Sequence, residues 1–205
     1  TEKLLAIRGR VLPVSLGKTS LCATLENGKT IREEPNVEVH KTRYKSEIKE
    51  PYLDPQVGAY DEALKAIKKA DLIVLGPGSL YTSILPNILT AGIPLAIKNS
   101  SASVAYVCNV MTQPGETDNY AVSDHVNKIV DYLGEGQIDF VIVNRERANK
   151  KLYEKYKKEG AAPIELDMEN LGSFNVVKAN LLTKNNLLRH DADKLARVVL
   201  ALTKR

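Results

Sequence analysis

From residue 61 onward the chain alternates between two hydrophobic rhythms. Segments whose apolar positions fall three or four apart are followed by short runs in which nearly every residue is apolar. DEALKAIKKA (61–70) sets Ala63, Ile67 and Ala70 on one helical face. DLIVLG (71–76) reads as a strand covered on both sides. PNILTAG (86–92) predicts a helix with Pro86 in its first turn and Gly92 just past its end. PLAIKN (94–99) and VAYVCNV (104–110) are further strand candidates. SDHVNKIVDYLG (123–134) predicts a helix with Ser123 as cap, a Val126/Ile129/Val130/Leu133 face and Gly134 as stop. A strand, DFVIVN (139–144), and a highly charged helix, 147–160, come next. APIEL (162–166) and NVVKANL (175–181) read as strands, and DADKLARVVLALTK (191–204) as a last helix capped by Asp191.

Such alternation predicts an α/β fold: a Rossmann-like, mostly parallel sheet with helices on both faces. The first 56 residues differ. They predict a β-rich, N-terminal hairpin region within the same single domain, 1–205, with strands over 4–16 and 20–32 joined at Gly17-Lys18. Asn27-Gly28 is the strongest short hairpin signal. Residues 33–56 read as extended, partly exposed chain. The sequence starts at Thr1 and enters LLAIRGRVLPVS almost at once, as the interior of a longer protein would.

Composition removes function classes more than it selects one. The 205 residues carry 29 basic and 25 acidic side chains, a net charge of +4 that is too small and too dispersed to imply nucleic acid. No apolar run approaches the length of a membrane span, and no targeting pattern is visible. Two cysteines, Cys22 and Cys108, lie far apart without CxxC spacing. Zinc is therefore not indicated, and a reducing cytoplasm is the default localisation.

In a parallel sheet, ligands bind beyond the carboxyl ends of the strands. Three loops leave strands there. In the first, GPGSLYTS, Gly76 and Gly78 carry no Cβ, so a ligand can approach the main chain closely. Exposed N–H groups in such a turn form an anion-binding concavity. Ser79, Tyr81, Thr82 and Ser83 add hydroxyls. Pro86 argues against one unbroken helix from Ser79, which places the main helix start near Ser83 to Pro86 with its positive end toward the same space. The alternative is a Gly-rich turn whose serines only cap. Neither a Walker A loop nor a GxGxxG fingerprint is present.

The second loop, MTQPGETDNY (111–120), is longer and more polar than a connection requires. Its amides and carboxylates suit a base or a sugar hydroxyl. Glu116, Asp118 and Asp124 could together hold Mg2+, although carboxylate clusters of this kind more often cap helices. The third loop offers Arg145 and Arg147 to a diphosphate and Tyr153 or Tyr156 to a ring. Arg189, in RHD (189–191), either binds an anion or pairs with an acid. A Ser79–His125–Asp triad lacks local support, because no GxSxG elbow exists.

DLIVLGPGSLYTSILPNIL, VAYVCNVMTQPGETDNYAVSDHV and RHDADKLA together resemble the YvcK-like family of gluconeogenesis factors, relatives of 2-phospho-L-lactate transferase. The resemblance runs from about AIRGRVLPVSL to the C-terminus. It implies a cytoplasmic regulatory protein that binds nucleotides and nucleotide sugars, UDP-sugars especially, in bacterial carbon metabolism, cell shape and cell-envelope synthesis. It also implies a protein partner in envelope synthesis and is compatible with a homo-oligomer. No cofactor is required and no catalytic residue is assigned.

Carried over by position, Gly76, Gly78, Ser79 and Thr82 match the family's second phosphate-side loop. Asn109, Thr112, Gln113, Glu116 and Thr117 match the loop lining its nucleotide cleft. Tyr153 and Arg189 match contacts to a UDP-sugar. The family's GGGTG loop and Asp-Asp-Gly-Gly stretch do not occur, so the sequence resembles the later part of such a protein. Two alternatives stand beside this reading. One is a phospholactate-transferase-like enzyme using a nucleoside-diphosphate-linked donor and Mg2+, with Asp118 or Asp124 toward the metal. The other is a scaffold docking a partner through Arg145 to Lys158.

Overall fold

A computed structural model describes residues 9–32, 46–147, 150–184 and 187–203. Strands β1 (Ser20–Leu25) and β2 (Thr30–Arg32) form a hairpin, and β3 (Ile48–Asp54) pairs antiparallel with β1, giving the order β2-β1-β3. The hairpin turns at Asn27-Gly28, where Gly28 has φ 80° and Asn27 Oδ1 accepts from the Lys29 N–H at 3.0 Å. The hairpin signal is thus right and the two long strands are not. Residues 20–32 fold back on themselves, and residues 9–16 form no strand. Residues 1–8 and 33–45 lie outside the described residues. Leu21, Ala23 and Leu25 alternate inward and join the main core.

The remainder builds a four-stranded parallel sheet, β4-β5-β6-β7, from Leu72–Leu75, Ser103–Val107, Phe140–Asn144 and Asn175–Ala179. Helices α1 (Asp61–Lys68), α2 (Leu85–Leu89), α3 (Ile93–Lys98), α4 (Val122–Leu133), α5 (Lys150–Lys158) and α6 (Ala192–Leu202) connect and cover it. The strict alternation of strand side chains divides the burial. Val104, Tyr106, Val141 and Val143 pack with Val126, Ile129 and Leu133 of α4. Ala105, Val107 and Ile142 point the other way, against Leu195, Val198, Val199 and Leu202 of α6. Both faces of β5 and β6 are therefore covered, which is why these strands read as unbroken apolar runs. Strand β4, expected to be covered on both sides, is instead an edge strand with no fully buried residue and Val74 exposed.

Three further local expectations are corrected. PLAIKN is α3, not a strand: Pro94 suits a first helical turn, and Ile93 and Ile97, four apart, share the buried face. APIEL forms no strand, and Pro163 makes only an isolated bridge to Met111. The start of α2, by contrast, falls at Leu85, inside the expected Ser83–Pro86 range. A π-helical turn, Leu80–Ile84, precedes α2 and absorbs Pro86, since the i→i−5 bond from the Leu85 N–H to Leu80 O ends just ahead of the proline. Ser123 does not cap α4. The cap is Ala121, whose N–H donates to Asp124 Oδ2 at 2.8 Å. Ser123 turns inward instead, donating its hydroxyl to Asp167 Oδ2 at 2.5 Å and its N–H to Oδ1 at 3.1 Å.

Candidate functional site

The carboxyl ends of β4 and β5 lie side by side, so their loops share one space. Leaving β4, Gly76 takes φ 83°, and a Cβ there would stand 3.1 Å from Val107 O and 3.2 Å from Ile84 Cδ1. This glycine is needed for close packing of the loop on the end of β5. Two residues on, a Cβ at Gly78 would lie 3.1 Å from Ser83 Cβ. The carbonyl of Gly78 accepts from Asn109 Nδ2 at 2.8 Å, which ties the β4 loop to the residue leaving β5. Among the described residues, no protein oxygen accepts from the main-chain N–H of Gly78 or Ser79. Because α2 has five residues, the donors here belong to the loop and not to a long helix dipole.

Ser79 is the junction of the site. Its Oγ accepts from the Thr82 N–H (3.1 Å) and the Thr82 hydroxyl (2.7 Å), and donates to Glu116 Oε2 at 2.7 Å. Glu116, 8% exposed, thus clamps the second loop to the first. That second loop is internally fixed. Thr117 Oγ1 accepts from Gln113 N, Asp118 Oδ2 accepts from Gly115 N, and Thr112 exchanges hydrogen bonds with the Ala162 main chain through both N–H and Oγ1. Tyr81 and Tyr120 join hydroxyls at 2.9 Å beneath it.

A cleft of about 600 Å3 opens beside this junction, with Gly78, Asn109, Thr112, Gln113 and Arg189 among its lining. Five of the eleven residues singled out from sequence therefore share one space. Ser79, Thr82, Glu116 and Thr117 form its supporting network, and Gly76 borders a neighbouring hollow of about 770 Å3 against β4. Tyr153 is absent from the cleft lining. It packs in the small cluster around Met111 and Leu188, while Tyr156 of the same helix reaches the cleft and accepts from the Leu188 N–H at 3.2 Å. Arg145 donates to Asn180 Oδ1 at 3.1 Å. Sequence reasoning passed over His190, which also lines the cleft. Its only cue was adjacency to Arg189. It also passed over Asp167, whose partner Ser123 is 44 positions away.

Electrostatics argue against a nucleophile. Burial pushes the Cys108 thiol up to about 12 and Tyr106 well above its ordinary range. Burial also lowers His125 to about 4, so at neutral pH its ring is uncharged. His125 Nδ1 faces Tyr106 OH at 3.3 Å, while Ser79 is engaged by Glu116, so no triad assembles. Burial likewise lowers His190. Burial raises Asp167, but the Ser123 and Asn170 hydrogen bonds outweigh it and hold the carboxyl below its usual range. Among the described residues, no three His, Cys, Asp or Glu side chains gather as a metal site. Asp118 and Asp124 cap main-chain N–H groups instead. No helix among the described residues is long and apolar enough to cross a membrane.

Comparison with known proteins places these features in a wider set. The family described as 2-phospho-L-lactate transferase CofD matches residues 1–182. A Thermotoga maritima relative is 44% identical over 204 residues, covering 97% of this chain and 63% of its own length. A Bacillus subtilis protein named gluconeogenesis factor is 39% identical over 207 residues, covering 99% of this chain and 64% of its own. A crystal structure of a UPF0052-family protein from Bacillus halodurans superposes with a TM-score of 0.90 at 40% identity, over 97% of this chain and 64% of that one. The chain therefore spans less than two thirds of the relatives it matches.

Proposed function

The chain belongs to the 2-phospho-L-lactate transferase CofD family, in its YvcK-like, gluconeogenesis-factor branch, and from that premise we propose that it holds a nucleotide sugar, a UDP-sugar in particular, as a cytoplasmic regulator of carbon metabolism. The observation that carries this reading is the unaccepted N–H pair at Gly78 and Ser79, on a loop bordering a cleft with Arg189 in its lining. Main-chain donors and a guanidinium suit a diphosphate. Asn109 and the Ser79–Glu116 clamp hold the loop in place before any ligand arrives. The gluconeogenesis name of the Bacillus subtilis relative supports the carbon-metabolism role, and roles in cell shape and envelope synthesis, through a protein partner, belong to the same proposal.

The family description favours a second reading, transfer of a phosphate-bearing acyl group from a nucleoside-diphosphate donor, helped by Mg2+. Isothermal titration with UDP-N-acetylglucosamine tests the first reading: binding that is lost in Gly78→Val supports it. Absence of heat at high micromolar ligand, with the protein folded, contradicts it. Product formation from a nucleoside-diphosphate donor would establish the second.

A further inference from the structure

Gln113 and His190 come from distant parts of the chain and line the same cleft. Gln113 leaves β5 in the second loop, and His190 precedes α6, held there by the bridge between Leu182 and His190 and by Asp191 N–H donating to Leu181 O at 2.7 Å. Gln113 Oε1 and His190 Nε2 are both withdrawn from solvent, yet neither has a hydrogen-bond partner. Among the described residues, neither side chain makes any hydrogen bond at all. A buried polar atom left unpaired is destabilising, and such atoms are rare in native proteins. Two in one cleft call for a shared explanation.

The cleft wall supplies the context. Around these two polar groups stand Met111, Ala161, Leu188 and the ring of Tyr156. Polar partners on the same lining, Thr112 and Glu159 among them, are too few for a pyranose, which carries a hydroxyl on nearly every carbon. A flat heterocycle differs: it buries two apolar faces and concentrates its donors and acceptors on one edge. A side-chain amide and an uncharged imidazole each offer both donor and acceptor groups, which complements such an edge.

We propose that Gln113 and His190 form the base-reading end of the cleft, recognising the hydrogen-bonding edge of the nucleobase while the Gly78–Ser79 main chain and Arg189 hold the phosphates. This rests on the nucleotide reading above and assigns His190 a role in ligand specificity.

Three probes separate the parts: pyrophosphate, UDP and UDP-N-acetylglucosamine, titrated into the wild-type chain, His190→Ala, His190→Gln and Gln113→Ala. Each variant is first matched to wild type by its melting curve. Losing one base contact lowers affinity about tenfold, in the range of a buried hydrogen bond lost without compensation. His190→Ala and Gln113→Ala are therefore expected to weaken UDP and UDP-N-acetylglucosamine equally, about tenfold, and to leave pyrophosphate unchanged. His190→Gln, which restores a donor and an acceptor, should recover part of the loss. Equal weakening of all three probes overturns the proposal, as does loss confined to UDP-N-acetylglucosamine, which would place the sugar at this end. Wild-type affinity for UDP in both alanine variants overturns it while leaving the nucleotide reading intact. No binding of any probe to wild type removes both.

Discussion

Replacing Ser79 by alanine tests whether the site is built around one hydroxyl. The change deletes a helix-capping acceptor for the Thr82 N–H, the acceptor of the Thr82 hydroxyl, and the donor to Glu116. Loss of the cap costs about 1 kcal/mol. Loss of a hydrogen bond to a carboxylate that is 8% exposed adds about 1.5–3 kcal/mol, because Glu116 loses a partner it cannot fully replace with water. The sum is about 2.5–4 kcal/mol, equivalent to a fall of roughly 5–16 °C in Tm for a chain of this size. Urea unfolding monitored by circular dichroism reads it directly, with an unchanged m-value showing that only stability moved. Glu116→Gln keeps the shape and removes the charge, so it should cost about 1 kcal/mol. The double variant should then lose less than the sum, by about 1 kcal/mol or more. A Ser79→Ala loss under about 0.5 kcal/mol, or strict additivity with Glu116→Gln, would show that the two loops are not clamped through this pair.

Two further outcomes follow from the same geometry. His125 has its folded-state pKa lowered from 6.5 to about 4, so below 6.5 the unfolded chain binds the extra proton. Its contribution is fully present above about pH 6.5 and is lost as the pH falls toward 4, amounting to roughly 3 kcal/mol across that window. His125→Phe should flatten the stability profile between pH 6.5 and 4.5 relative to wild type. His190 shifts in the same direction and is common to both proteins, so an unchanged slope would contradict the assignment. Gly76→Ala places a side chain at φ 83° and 3.1 Å from Val107 O. Left-handed strain alone costs about 1–2 kcal/mol, so chemical denaturation should show at least that loss, and a neutral result would mean the β4 loop adopts another path.

The sheet was legible because its central strands are covered on both faces. FVIVN and VAYV cannot alternate polar with apolar when α4 lies on one side and α6 on the other. The α4 face was equally plain, since Val126, Ile129 and Leu133 recur at helical spacing. PLAIKN was not, because its consecutive apolar residues Leu95 to Ile97 read as a short strand, and only the burial of Ile97 together with Ile93, just before the segment, decides for helix. Ser123 misled for a related reason. It stands where a cap is expected, but Asp167, 44 residues on, draws it into the core.

The site divides along the same line. Gly76 and Gly78 announce a tight turn locally, and the long polar loop after β5 announces itself by length and composition. Their connection does not. Ser79 and Glu116 are 37 residues apart, and nothing near either predicts the other. Tyr156 rather than Tyr153 reaches the cleft because the rotation of α5 is set by its contact with Leu188, a residue beyond the next strand.

The most direct test of the central claim is nitrogen-edited NMR of the backbone amides during titration with UDP. The account predicts that the Gly78 and Ser79 resonances move the most and saturate with the same affinity that calorimetry reports, as their N–H groups gain phosphate acceptors. Resonances at 78 and 79 that stay fixed at saturating UDP, while others shift, would contradict it.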